Sequence, residues 1–165
     1  MVAIRRARIE DIPGIKSVLA VTWRDTYSSF LPEPVIAKAA AEWHSPKVLE
    51  AEMNQCLTFA GVATSSSAGV VGIITAHSHG ELLVIARLYV LPEFQRQGIG
   101  ERLIRESCRV FPQSRQLRLH VEEQNPKGRA FYRKLGFSEV EVRNDEIAGF
   151  KLKSIVMEKR IGETA

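Results

Sequence analysis

The chain has 165 residues, of which 45% are apolar and 25% charged, and its formal net charge is +4. These values are typical of a soluble globular protein, and the length favours a single domain over residues 1–165. The mild, dispersed basic charge allows an anionic partner but does not require nucleic acid, and no apolar run is long enough to span a membrane.

Cysteine usage and the N-terminal segment predict a cytoplasmic protein. Only Cys56 and Cys108 occur, too few for a disulfide scaffold, and we expect both to be buried as small apolar residues. The N-terminal segment MVAIRRARIED lacks the apolar core of a signal peptide.

The first third of the chain is predicted to form one strand followed by three helices. The segment AIRRARIED alternates as a strand, and Asp11 is expected to cap the helix that follows it. Apolar residues at helical spacing continue this helix to Trp23. Two further helices are predicted over 35–43 and 47–53.

The remaining sequence is mainly β. LTFAGVAT and GVVGIITAH form a predicted hairpin, and ELLVIARLYVL is a third strand that Pro92 ends. A helix is expected from Gly98 to Phe111, followed by the strand LRLHV, a short helix in NPKGRAFYRKLG and a closing hairpin. This order predicts a mixed α/β fold in which helices cover a sheet.

The turn QRQGIG, over 95–100, joins the third of these strands to a helix. Free N–H groups at a helix start and the helix dipole attract anions, and Gly98 and Gly100 would let an anion approach the backbone. A plain strand-to-helix turn is the alternative. A dinucleotide fingerprint needs a third glycine and a Walker loop needs Lys-Ser or Lys-Thr, and both are missing.

Two motifs resemble those of the GCN5-related N-acetyltransferase (GNAT) family. QRQGIG is similar to that family's pyrophosphate loop, and NPKGRAFYRKLGF is similar to a second motif in the family's order and spacing. TWRDTYSSFLPE also resembles the N-terminal helix region of many bacterial members. The resemblance implies a mixed, mostly antiparallel sheet with helices on both faces, and two central strands, near 88–90 and 117–121, that splay apart.

The resemblance also implies how acetyl-CoA would bind as the acetyl donor. The strand residues Leu88, Tyr89 and Val90 would face its pantetheine and acetyl groups, Asn125 would bond its arm, and Phe131 would pack along it. Its pyrophosphate would be wrapped by the loop residues, which are Gln95, Arg96, Gln97, Gly98, Ile99, Gly100 and Glu101. Its 3′-phosphate would lie within reach of a basic residue among Arg102, Arg129, Arg133 and Lys134.

Direct acetyl transfer to an amine is the implied reaction. Val90 would supply a backbone N–H to the oxyanion, and Tyr132, also part of the cofactor site, would protonate the leaving thiolate as general acid. A role in core packing is the alternative for Tyr132. Neither cysteine is required as a nucleophile. Trp23, Tyr27 and Phe30 would pack the first helix, and the resemblance implies that one or two of them also line the acceptor pocket.

The general base stays open in the sequence. Glu81 lies too far from Leu88 along an extended strand. Glu122, His120 and a water chain are candidates, although we expect both side chains on the surface. Arg87 would draw an acidic acceptor or pair with a nearby acid.

The sequence therefore predicts an acetyl-CoA-dependent N-acetyltransferase that uses no metal. His77 and His79 share a strand face, but no third ligand has a recognisable spacing. The alternative is a non-catalytic acyl-CoA-binding module of the same fold, because no base is evident. The acceptor amine, on a small molecule, peptide or protein, is not specified, and the exposed strands are compatible with a homodimer.

Overall fold

The computed structural model describes residues 1–162. The strands are β1 (Val2–Arg6), β2 (Thr58–Ser65), β3 (Gly69–His79), β4 (Leu82–Val90), β5 (Gln116–Glu122), β6 (Ser138–Ile147) and β7 (Phe150–Arg160). The helices are α1 (Ile12–Tyr27), α2 (Glu33–Trp43), α3 (Pro46–Met53), α4 (Ile99–Val110) and α5 (Pro126–Lys134).

The strands form a seven-stranded sheet in the order β1-β2-β3-β4-β5-β7-β6. All neighbouring strands are antiparallel except β4 and β5, which run parallel. Parallel neighbours need a crossover connection, and α4 supplies it. The predicted mixed α/β fold with a mostly antiparallel sheet is confirmed.

Helices cover the two faces of the sheet with two apolar cores. On one face α1 packs against β3 and β4, and it buries Val18 and Leu19 there together with Val62 of β2. On the other face α4 packs against β2, β3 and β4 and buries Leu103 and Ile104. The central strands are therefore covered on both faces by apolar side chains.

A β-bulge interrupts β4 near its middle. Thr75 of β3 pairs with Arg87, whereas Ala76 pairs with Ile85, so Ala86 is an extra residue on β4. A bulge of this kind bends its strand and increases the local twist. The second half of β4 therefore leaves the direction set by the first half.

The bend separates β4 from β5. The two strands pair only over residues 82–85 of β4 and 116–119 of β5. Beyond these four pairs, residues 86–90 and 120–122 diverge and leave a cleft between them. The splay is thus present as expected, but on β5 it begins at His120, because Leu117 and Leu119 are still paired.

Two local predictions are wrong. The Asp11 side chain does not cap α1; it accepts a 2.8 Å hydrogen bond from the Arg8 N–H and pairs with Arg5, which stabilises the 3-10 turn before the helix. Cys56 is exposed, because it lies in the turn between α3 and β2, and Cys108 is only partly buried.

The longest helix, α1, has 16 residues. In the described part of the chain no helix combines the length and the apolar character that crossing a bilayer requires.

Two valines provide a matched test of this packing. Val62 is 0% exposed in the core beneath α1, whereas Val142 on β6 is 57% exposed. We expect Val62→Ala to lower the free energy of unfolding by about 2 kcal/mol, since it removes buried methyl groups and leaves a cavity. Val142→Ala should cost less than about 0.5 kcal/mol. Urea denaturation measures both, and equal losses would contradict the burial described.

Candidate active site

The turn between β4 and α4 presents a row of backbone N–H groups. Arg96 (φ 61°) and Gly98 (φ 76°) adopt left-handed conformations in this turn. The first helical hydrogen bond runs from the Arg102 N–H to the Gly98 carbonyl at 3.0 Å, and within residues 1–162 the N–H groups of 96–101 have no acceptor. Together with the helix dipole, these free donors form an anion-binding site.

The two glycines of the turn have different surroundings. A Cβ placed on Gly98 would meet no atom within 4 Å, so the space beside its backbone is open. A Cβ on Gly100 would lie 2.9 Å from Cζ of Phe131, which means that the aromatic ring of α5 packs directly on the start of α4. The open space and the free N–H groups fit a pyrophosphate.

The outer half of β4 directs alternate backbone groups into the cleft. The Leu91 N–H donates to the Val71 carbonyl of β3 at 2.9 Å. Because backbone groups alternate along a strand, those of Tyr89 also face β3, and those of Leu88 and Val90 face away from it, towards the cleft. The Val90 carbonyl accepts a 2.9 Å hydrogen bond from Nε2 of Gln95, which leaves the Val90 N–H as a donor aimed into the cleft.

The motif that follows β5 begins with a capped helix. Oδ1 of Asn125 accepts from the Gly128 N–H at 2.9 Å, so this side chain caps α5 and borders the open end of the cleft. α5 then places Phe131 beside the turn and Tyr132 against the α4-side core, where the Tyr132 ring packs against Phe131 and Phe137 at centroid distances of 5.1 and 5.6 Å.

The chain has three tyrosines, and all three converge on Glu122 at the end of β5. The Tyr27 hydroxyl donates to Oε1 of Glu122 at 3.3 Å and lies 3.3 Å from the Tyr89 hydroxyl. Tyr132 is close enough for Tyr89 and Glu122 to raise its pKa, which burial already holds well above the usual value. The cluster combines residues of α1, β4, β5 and α5.

Burial also controls the ionisation of the other members of this cluster. It raises the pKa of Glu122 above its usual value, and Asp145 raises it further. It raises the pKa of Tyr89 to about 12. The expectation that Glu122 lies on the surface is wrong, because α1 covers it, whereas His120, which points to the same sheet face, is exposed as expected.

Arg87 pairs with a nearby acid, one of the two roles expected for it. Its guanidinium binds the Glu52 carboxylate of α3 and donates to the Trp43 carbonyl at 2.9 Å. Burial and the charge of Arg87 lower the pKa of the neighbouring His44 to about 4. The Arg87 side chain therefore links α2 and α3 to β4 beside the cleft. Glu81 lies at the opposite, paired end of β4.

The histidine pair has a local structural contact. Nδ1 of His77 lies 2.9 Å from the Thr58 hydroxyl of β2. Within residues 1–162 no group of three His, Cys, Asp or Glu side chains is arranged to bind a metal ion.

The comparisons with known proteins agree with this geometry. The acetyltransferase (GNAT) family model matches residues 15–137, and the chain belongs to this family. It is accordingly an acyltransferase of the N-acetyltransferase class, and the family uses acetyl-CoA.

Two curated relatives and one solved structure illustrate the relationship. A spermidine N(1)-acetyltransferase of Thermoplasma acidophilum is 30% identical over 82% of this chain and 88% of its own length. An uncharacterized N-acetyltransferase of Bacillus subtilis, YuaI, is 30% identical over 94% of this chain and 91% of its own. The crystal structure of the PaiA N-acetyltransferase of Thermoplasma acidophilum with coenzyme A has a TM-score of 0.83 and 25% identity, and the match covers 98% of this chain and 99% of that one.

The buried carboxyl predicts a pH-dependent stability. Because the pKa of Glu122 is raised on folding, ionising it costs more in the folded than in the unfolded chain. This cost is absent at low pH and grows as the pH rises from the usual glutamate value through the raised one. We expect Glu122→Gln to increase the melting temperature at pH 7.5, with the gain vanishing near pH 4. A gain independent of pH would contradict the assigned ionisation.

Proposed function

We propose that this protein transfers an acetyl group from acetyl-CoA directly to a primary amine of an acceptor that enters from the α1 side of the cleft. The observation that carries the proposal is the meeting, in one cleft, of a free N–H cradle over 96–101 and the phenol of Tyr132. The first suits a pyrophosphate, and the second suits a leaving thiolate.

The donor would lie along the diverging half of β4. The N–H groups of the loop residues would bind its pyrophosphate, and Leu88, Tyr89 and Val90 would line its pantetheine and acetyl groups. Phe131, packed on Gly100, would support the arm, and Asn125 would bond it with the amide hydrogens that its capping oxygen leaves free.

One basic residue stands out as a partner for the 3′-phosphate. Arg129 and Arg133 both pair with Glu139, and Arg102 donates to the Val2 carbonyl. Lys134 has no ion pair or hydrogen bond within the described residues, and it lies at the end of α5. We therefore favour Lys134 among the four candidates.

The transfer step uses groups whose positions are complementary. The N–H of Val90, aimed into the cleft, would donate to the oxyanion that forms when the amine attacks the thioester carbonyl. Tyrosine is protonated at neutral pH, and the raised pKa of Tyr132 extends this to higher pH, so the phenol holds a proton for the departing sulfur. No covalent intermediate on the protein is required.

The relatives support an amine acceptor. The Thermoplasma acidophilum relative is named for acetylation of spermidine, and spermidine is therefore the first acceptor to test.

Hydrogen exchange tests the donor site. Adding acetyl-CoA should slow exchange of the 96–101 amides by at least about tenfold, because free N–H groups would become donors to phosphate. The amides of Ala148 and Gly149, in the β6–β7 turn, serve as the internal control. Adenosine, which lacks the pyrophosphate, should give no such protection. Absence of protection by acetyl-CoA would sink the proposed donor site.

Tyr132→Phe tests the general acid. The phenyl ring keeps its packing against Phe131 and Phe137 but carries no proton to donate. We expect kcat to fall about 100-fold with spermidine, whereas the KM for acetyl-CoA stays within about threefold of wild type. An unchanged kcat would assign Tyr132 to packing alone.

A further inference from the structure

Glu122 is a partly buried acid that has no basic partner among residues 1–162. Its carboxylate accepts from Tyr27, and no arginine, lysine or histidine contributes to its pKa. Asp145 of β6 adds a second negative charge at a distance that raises its pKa. A carboxylate removed from water is normally paired, and within residues 1–162 no side chain supplies the counter-charge.

Two other buried polar groups beside this acid have no partner. The Trp23 indole N–H, in a residue only 5% exposed, faces the Tyr89 hydroxyl but lies outside hydrogen-bond geometry. Ser154 of β7 is 2% exposed and is the residue directly opposite Glu122 in the sheet, so the two side chains lie on the same sheet face. An unpartnered buried polar group destabilises the fold unless a ligand bonds it.

The aromatic rings complete the environment of a cation. Trp23 and Tyr27 are in contact, with ring centroids 4.5 Å apart, and Tyr89 lies beside them. Aromatic faces and a carboxylate together bind ammonium groups, the first by cation–π attraction and the second by charge.

We infer that Glu122 is the catalytic base, and that the pocket of Trp23, Tyr27, Tyr89, Glu122 and Ser154 binds the ammonium group of a primary alkyl amine with no carboxylate beside its nitrogen. This inference rests on the proposed acetyl transfer. A carboxylate next to the amine would be repelled by Glu122 and Asp145, so α-amino acids are disfavoured.

The proton balance of the reaction is complete with these groups. The ammonium gives one proton to the Glu122 carboxylate, and the free amine forms the C–N bond at the thioester carbonyl. The C–S bond then breaks, and the sulfur leaves with the electron pair. The thiolate takes the proton of the Tyr132 phenol. The resulting phenolate takes the second proton from nitrogen, and Glu122 releases its proton to solvent, which gives one amide, one thiol and one free proton.

The charged groups around Glu122 define what a pH profile would report. α1 contributes Tyr27, β4 contributes Tyr89 with Arg87 behind it, and α5 contributes Tyr132. The exposed His120 shares the strand, β6 contributes Asp145 and Arg143, and β7 contributes the uncharged Ser154. The tyrosines stay protonated through neutral pH, so the acidic limb of the pH–rate profile belongs to Glu122. His120→Gln is the control, and this variant should leave the limb at the same pH.

The test uses the full chain with pentylamine as probe and its carboxylated counterpart norleucine as the matched comparison. Wild type should acetylate pentylamine at least about 100-fold more efficiently, by kcat/KM, than norleucine. At pH 7.5 Glu122→Gln should lower kcat/KM for pentylamine about 100-fold. Above pH 7.5 the difference in kcat/KM between wild type and Glu122→Gln should shrink about tenfold per pH unit. The reason is that the variant can use only the amine that is already deprotonated in solution. Glu123→Gln, one residue away and exposed, should behave as wild type.

A second variant keeps the test decisive if Glu122→Gln does not fold. Tyr27→Phe removes the hydroxyl that lowers the pKa of Glu122, so the acidic limb of the profile should move to higher pH. A Glu122→Gln loss that is the same at every pH, an unmoved limb in Tyr27→Phe, or equal use of norleucine would overturn the inference while acetyl transfer stands. Failure of the wild-type protein to bind acetyl-CoA, or to acetylate any primary amine, would instead overturn the proposed function.

Discussion

The geometry of this protein depends on the early end of the pairing between β4 and β5. Four residue pairs join the two strands, and the extra residue Ala86 then bends β4 away. Beyond that point each strand carries backbone donors and acceptors that face the gap instead of each other. Such groups must be satisfied by water or by a ligand. The cleft is thus a consequence of one inserted residue, with no change in the order of the strands.

The same divergence brings the two faces of the sheet into contact. Elsewhere the sheet separates the α1 core from the α4 core, and a side chain on one face cannot reach the other. Through the gap Tyr132 of α5 comes close to Tyr89 and Glu122, which belong to the α1 face. In the proposed mechanism, the group that protonates the leaving thiolate and the group that deprotonates the amine would therefore act on the same carbonyl from opposite sides.

Much of the fold was predictable because local chemistry determines it. Gly98 has φ 76°, a conformation that glycine adopts without strain, and it stands at the helix start that the sequence indicated. Asn125 caps α5 as the motif suggested, with Pro126 in the first turn. The family and the fold read from these two motifs are confirmed. The roles of individual cleft residues remain predictions.

Features that depend on distant parts of the chain were not predictable. Glu122 follows Arg118 and His120 in alternation, which reads as a solvent-facing row, but the hydroxyl that covers it belongs to Tyr27, 95 residues earlier. Ala86 has neither the flexibility of glycine nor the restraint of proline, so the residue type at this position did not indicate a bulge. The exposure of Cys56 was not predictable from its residue type, because free cysteines are usually buried, whereas the turn that holds Cys56 exposes it.

The burial of Glu122 sets two requirements against each other. Removal from water favours the neutral acid, which cannot accept a proton, while the Tyr27 hydroxyl favours the carboxylate, which can. An exposed glutamate would ionise freely but would be too weak a base for an ammonium group. A fully buried glutamate with no hydrogen-bond donor would stay protonated. Partial burial raises the pKa of Glu122, while the Tyr27 hydroxyl and a backbone hydrogen bond stabilise the carboxylate. In the proposed reaction a cationic amine would supply the counter-charge that residues 1–162 do not provide, which would explain why a costly carboxylate stands at the open end of the cleft.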